Sequence, residues 1–71
     1  MTSLPIRIRR CRAQAAVEAY AKLIEARAGE DETLIDLLTD LLHWCDGTGL
    51  DFEMSLDHAR FHHDAEQGGA A

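Results

Sequence analysis

The chain has 71 residues, of which 46% are hydrophobic and 28% are charged, and its formal net charge is −6. This composition is typical of one small globular domain rather than of a disordered protein. A domain of this length buries only about 60% of its unfolded surface, which makes it marginally stable as a monomer.

Charge is distributed unevenly along the chain. Residues 1–29 contain six basic and two acidic residues, for a charge of +4, whereas residues 30–71 contain eleven acids and Arg60, for −10. The acidic total argues against non-specific DNA binding by the whole surface. The basic first segment can still contact phosphate groups, its own acidic body or that of a second copy.

Two features of the chain favour a cytoplasmic protein without membrane contact. No apolar run approaches the ~20 residues of a membrane span. The first ten residues lack the apolar segment of a secretory signal. Cys11 and Cys45 do not make a disulfide framework and are interpreted as reduced thiols.

The first predicted helix runs from Pro5 to Ala28, with Ser3 as its cap and Gly29 as its stop. Residues 6–9 alternate with period two, so a short strand or a frayed arm is the alternative for that stretch. The chain is therefore divided into a basic arm or first helical turns (1–12), a helical domain (13–66) and a disordered tail (67–71).

The second predicted helix runs from Glu32 to Cys45, with Asp31 as a candidate cap. Its apolar face is wide enough to contact two neighbours, one of them helix 3 and the other helix 1 or a second subunit. This face consists of Leu34, Ile35, Leu37, Leu38, Leu41, Leu42 and Cys45.

A glycine-containing break at residues 46–50 precedes the third predicted helix, which runs from Phe52 to Glu66 with Asp51 as its cap. The predicted fold is all-α, with a long N-terminal helix and an antiparallel hairpin of helices 2 and 3. Because the chain is small and helix 2 has a wide apolar face, we expect a homodimer.

Acidic side chains and one tryptophan form the first candidate site. Asp36 and Asp40 lie on the polar side of helix 2, and Asp57 and Asp64 lie on helix 3. Trp44 lies at the edge of the apolar face, and tryptophan is a residue type that often dominates binding energy at interfaces. These five residues are the predicted partner-binding set, and no cofactor or catalytic residue is predicted.

Four arginines within six residues form the second candidate site. Such clusters bind phosphate groups or carboxylates, although aromatic base-stacking residues are absent between these arginines. The alternative function is therefore nucleic-acid binding by Arg7, Arg9, Arg10 and Arg12.

A histidine pair forms the third candidate site. His58 and His62 are four residues apart on one helix, a spacing at which two histidines can share a zinc ion. The glutamate of the HExxH protease motif is missing between them. Zinc binding or a metal-dependent helical protein is the remaining alternative, against the simpler interpretation of a surface histidine cluster.

Residues 33–66 resemble a pattern in short uncharacterised bacterial proteins, often carried by plasmids or phages. The pattern is a helix rich in leucine and aspartate that ends in His-Trp-Cys-Asp (43–46), then a glycine turn with Gly-Leu-Asp-Phe (49–52), then a helix that ends in histidines and glutamate. The resemblance covers about half the chain. It implies an accessory protein of a mobile element and brings no activity or site residue.

The expected function is therefore binding rather than catalysis. The sequence predicts a small accessory or regulatory protein that docks on a macromolecular partner. One specific form is an inhibitor of a host defence complex, of the anti-CRISPR type, whose acidic surface occupies a positively charged nucleic-acid groove.

Overall fold

A computed structural model describes residues 4–25, 27 and 29–69, and these residues form three α-helices without a strand. Helix α1 is Ile6–Leu23, α2 is Glu30–Thr48 and α3 is Phe52–Gly69. The all-α class and the number of helices predicted from the sequence are confirmed. Within the described ranges, no helix combines the length and apolarity that a bilayer crossing requires.

Helix α1 is shorter than predicted at its C-terminal end. It begins after Pro5, so the strand alternative for residues 6–9 is wrong, and its regular part ends at Leu23. The reason for the early end is Glu25, which has a left-handed φ of 52° that no α-helix continues through. The predicted cap Ser3 and the predicted last residue Ala28 lie outside the described residues.

Gly29 starts α2 instead of stopping α1. Its extended backbone (φ −70°, ψ 174°) is the N-cap of α2, so the predicted Asp31 cap is wrong by two positions. The Thr33 hydroxyl donates a hydrogen bond of 3.2 Å to the Gly29 carbonyl, which fixes the first turn. Three acids in that turn, Glu30, Asp31 and Glu32, interact favourably with the positive end of the helix dipole.

The connection between α2 and α3 follows the predicted turn chemistry. Gly49 adopts a left-handed φ of 79° and its N–H donates to the Cys45 carbonyl at 2.9 Å, which makes it the glycine that ends α2. The Asp51 carboxylate accepts a hydrogen bond of 3.0 Å from the N–H of Met54, which confirms Asp51 as the cap of α3. Both helices extend beyond their predicted ends. Helix α2 continues to Thr48 and α3 continues to Gly69.

One row of α2 at i, i+4 spacing provides the interior. Thr33 and Cys45 are the buried residues of the described part, at 5% and 7% exposure, and Leu37 and Leu41 between them are half-buried. Helices α1 and α3 both contact α2, and Val17 and Tyr20 of α1 and Phe52 and Leu56 of α3 are half-buried. The interior is thus a narrow strip along α2.

The three helices form an open arrangement rather than a closely packed bundle. Contacts between α1 and α3 join the start of one to the end of the other, where Arg9 Nε lies 2.6 Å from Glu66 Oε2. The radius of gyration is 14.0 Å. A compact domain of this length has a radius of gyration of about 11 Å.

The turn glycine gives a stability prediction with an internal control. We expect Gly49→Ala to lower the free energy of unfolding by about 1 kcal/mol, because a Cβ is strained at left-handed φ although the space around it is open. Gly47→Ala, inside α2 and equally unobstructed, should raise it by about 0.5–1 kcal/mol. Urea unfolding followed by circular dichroism measures both, and equal effects of the two changes would contradict the assigned turn.

Candidate partner-binding surface

Helix periodicity divides the surface of α2 into rows on opposite sides of its buried strip. One row, here called the acidic–tryptophan row, contains Asp36, Asp40 and Trp44. The other, here called the leucine row, contains Leu34, Leu38 and Leu42. All six side chains are exposed, because the neighbouring helices cover only the strip between the rows.

The structure brings three of the five predicted partner-binding residues together. Asp36, Asp40 and Trp44 follow one another at four-residue spacing, so their side chains lie on one side of three successive turns. Trp44 is 56% exposed. An exposed tryptophan beside two carboxylates combines a large apolar contact with charge that selects a basic partner.

Tyr20 of α1 holds one of these carboxylates in place. Its hydroxyl donates a hydrogen bond of 2.5 Å to Asp40 Oδ2, which joins the last turns of α1 to the middle of α2. The sequence did not predict this role. Tyr20 has the spacing of an inward-facing residue, and nothing in a local pattern pairs it with a residue twenty positions away.

The same contact changes the acidity of the tyrosine. The pKa of Tyr20 is raised from 10.0 to about 12, first by the hydrogen bond to Asp40, then by partial removal from water and by the negative charges of Asp40 and Asp36. The phenol is therefore held as a neutral donor over the whole physiological pH range. The hydrogen bond uses Oδ2 of Asp40 and leaves its other carboxylate oxygen for a partner.

A groove of about 490 Å³ opens beside this contact, between the C-terminal part of α1 and the first half of α2. Asp36 and Asp40 form its acidic wall, and Ile24 contributes apolar surface. The groove is open to solvent, so it suits a side chain of a docking protein better than an enclosed small molecule.

Asp57 and Asp64, the other two predicted partner-binding residues, lie on α3. Both are exposed and are seven residues apart, so they share one side of that helix. Asp64 Oδ1 lies 3.2 Å from Nδ1 of its neighbour His63. No hydrogen bond or ion pair of the described residues joins this pair of acids to the row on α2.

The four arginines of the alternative nucleic-acid site lie in the first two turns of α1, and all four are exposed. Arg9 is bound to Glu66, whose side chain is only 14% exposed. Helical spacing places Arg7 beside Arg10 and Arg9 beside Arg12, on two different flanks. The arginines therefore form two pairs rather than one continuous basic surface.

The histidine pair lies on an exposed side of α3. The ring of His62 stands edge to face with that of Phe61, with ring centroids 5.9 Å apart. Within the described part of the chain, no three His, Cys, Asp or Glu side chains are grouped so that they can hold a metal ion. Zinc binding by His58 and His62 stays a prediction from their spacing.

The chain matches no protein-family model, no curated protein and no solved structure. Its resemblance to short bacterial proteins of mobile elements stays a prediction from residues 33–66.

The contact between Tyr20 and Asp40 can be measured directly, because Tyr20 is the only tyrosine in the sequence. We expect its phenol to titrate at a pKa of about 12 in the folded protein. The pKa of Tyr20 in the folded state exceeds its ordinary value. The stabilisation that the Tyr20–Asp40 hydrogen bond provides is therefore complete below pH 10 and is lost as pH rises towards 12. Tyrosinate absorbance during an alkaline titration, with helicity followed in parallel, provides the measurement.

Two variants test whether Asp40 causes the raised pKa of Tyr20. Asp40→Asn should move the tyrosine pKa back towards 10, because it removes the carboxylate that accepts the phenol hydrogen bond and, with it, the charge that opposes ionisation. Asp57→Asn, which changes an exposed acid on α3, should leave it unchanged. An ordinary tyrosine pKa in the folded wild-type protein would show that the hydroxyl is not bound to Asp40.

Proposed function

We propose that this chain is a small non-enzymatic accessory protein that acts by binding a protein partner through the acidic–tryptophan row of α2. The observation that carries the proposal is the arrangement of that row. Two carboxylates and a largely exposed tryptophan lie in line, and one of the carboxylates is oriented by a hydrogen bond from another helix. Pre-oriented side chains lose less entropy when they bind.

The chemistry of the row favours a basic partner surface. Carboxylates pair with arginine or lysine, and tryptophan stacks on arginine or fills an apolar pocket. Asp57 and Asp64 on α3 extend the negative potential of the same molecule, because residues 30–71 carry a charge of −10. Such a field accelerates association with a positively charged partner.

A protein that occupies a nucleic-acid-binding groove is one specific form of this function. Carboxylates on rigid helices would replace the phosphate groups in that groove. The resemblance of residues 33–66 to proteins of mobile elements supports a role against a host defence complex, as in anti-CRISPR inhibitors. Cytoplasmic location belongs to the same proposal, since such complexes act there.

The proposal includes a homodimer and an antiparallel α2–α3 hairpin. Three residues, Gly49 to Asp51, connect the two helices, and connections of this length are common between antiparallel neighbours. The dimer is supported by the wide apolar face of α2.

Capture from a bacterial lysate tests the binding function. The tagged protein should retain one dominant protein after nuclease treatment. The triple variant Asp36→Lys, Asp40→Lys, Trp44→Ala should recover at least about tenfold less of it, because central tryptophan and charged residues dominate interface energy. Mass spectrometry identifies and quantifies what is retained.

A matched variant controls for net charge. Glu18→Lys with Glu53→Lys reverses two exposed acids outside the row, so it should retain the partner provided that helicity by circular dichroism is unchanged. A second variant, Asp57→Lys with Asp64→Lys, measures the contribution of α3. If the triple variant retained as much of the partner protein as the wild type does, this result would contradict the proposed binding surface.

Nucleic-acid binding by the arginines is the second candidate, and one observation favours it. Arg7, Arg10 and Arg12 are exposed and make no ion pair with a described residue, whereas Arg9 is bound to Glu66. Three unneutralised guanidinium groups at one helix end are available to phosphates.

A gel-shift titration over salt concentration measures this second activity. If the arginines bind phosphates, replacing Arg7, Arg10 and Arg12 by alanine should reduce the slope of log affinity against log salt by up to about 3. Arg60→Ala, which removes the one basic residue of residues 30–71, should leave the slope unchanged. Absence of a shift at low salt would exclude this candidate.

A further inference from the structure

We propose that the leucine row of α2 is a self-association surface, and that its occupant is the leucine row of a second copy of this chain. The inference deepens the proposed function, since it assigns the dimer an interface on the side of α2 away from the partner-binding row. Leu34, Leu38 and Leu42 are 48%, 40% and 45% exposed, and Ile35 beside them is 60% exposed.

The accessible surface of the chain is larger than that of a compact monomer. The chain has 6093 Å². A compact monomer of 7.9 kDa has about 4,400 Å² by the scaling of surface with mass. The excess is about 1,700 Å² for each copy, roughly twice the ~800 Å² that one partner contributes to a standard interface. Two copies together fall in the range of obligate dimers.

Few residues of the described part are buried. Within the described part, Cys45 is the one buried hydrophobic side chain, whereas eleven large hydrophobic residues are exposed. A chain of this length without a disulfide among its described cysteines needs another source of burial. The leucine row offers that burial in one continuous strip about 12 Å long, without a charged residue in the row.

The helices of one copy are held in positions where they do not cover the leucine row. The three-residue turn holds the start of α3 at the end of α2, and the Arg9–Glu66 ion pair holds the end of α3 at the start of α1. Helix α1 lies on the opposite flank, where Tyr20 binds Asp40. Leu34 and Leu38 therefore remain uncovered in one copy.

The row is complementary to itself. In an antiparallel pair of α2 helices related by a two-fold axis at Leu38, Leu34 of one copy meets Leu42 of the other, and Leu38 meets its own counterpart. Antiparallel helices also align their dipoles favourably. The other exposed apolar pair, Met54 and Phe61 on α3, is interrupted by Asp57 and His58, so it offers no continuous strip.

Sedimentation equilibrium of the purified protein tests this interface. The wild-type chain should be a dimer. Leu38→Asp should raise the dissociation constant at least about 100-fold, because each dimer would bury two carboxylates in an apolar strip. The matched control Phe61→Asp places the same charge on an exposed apolar residue of α3, and it should change the constant less than about threefold.

Cysteine crosslinking keeps the proposal testable if the Leu38→Asp chain does not fold. In a Cys11→Ser background, Leu38→Cys should form a covalent dimer in the presence of oxidised glutathione, whereas Phe61→Cys should not. Since these measurements use no partner, they are independent of the lysate capture that tests the proposed function.

Three results would overturn the proposal. One is that the wild-type protein remains a monomer at the highest soluble concentration. A compact monomer, with a radius of gyration in solution near 11 Å, would count as this result. Another is a dimer that Phe61→Asp dissociates and Leu38→Asp does not. The third is a dimer that does not crosslink through residue 38.

Discussion

Burial along a single row of α2 is the constraint on which the rest of this structure depends. Thr33 and Cys45 mark its two ends, with half-buried leucines between them, and both other helices reach it. A strip one residue wide leaves the remaining sides of α2 in water. The surfaces that are available for binding follow directly from this narrow interior.

The two sides of α2 have different chemistry, which separates the two proposed interactions. The acidic–tryptophan row has charge, an aromatic anchor and a hydrogen bond from α1, a combination suited to selective docking. The leucine row has only apolar side chains, a composition suited to permanent association. A dimer formed through the second row would present two copies of the first row, pointing away from the dimer interface.

Polar contacts between distant residues complement this small interior. Tyr20 and Asp40 join α1 to α2, and Arg9 and Glu66 join α1 to α3. The Glu66 side chain is 14% exposed, so its ion pair is partly shielded from water and from salt. The open shape of the molecule therefore depends on a few specific contacts as well as on apolar packing.

The sequence predicted the features that local chemistry determines. Helix periodicity indicated three helices, and the α2–α3 turn followed from one glycine, which has no Cβ to oppose left-handed φ, and one aspartate, whose carboxylate caps α3. The prediction was wrong at the end of α1, where Glu25, a residue without a helix-ending signal, adopts left-handed φ, and Gly29 caps the next helix. Propensity rules cannot locate such an end, because they place the left-handed residue that ends a helix at glycine rather than at glutamate.

Among the site residues, the sequence by itself determined that Asp36, Asp40 and Trp44 share one side of a helix, because that follows from their spacing. Only the tertiary structure decided that Tyr20 binds Asp40 and that Arg9 pairs with Glu66. The physical reason is the separation along the chain between the residues that contact each other. Spacing fixes the neighbours within one helix, whereas contacts between helices depend on how the helices cross, which no local pattern encodes.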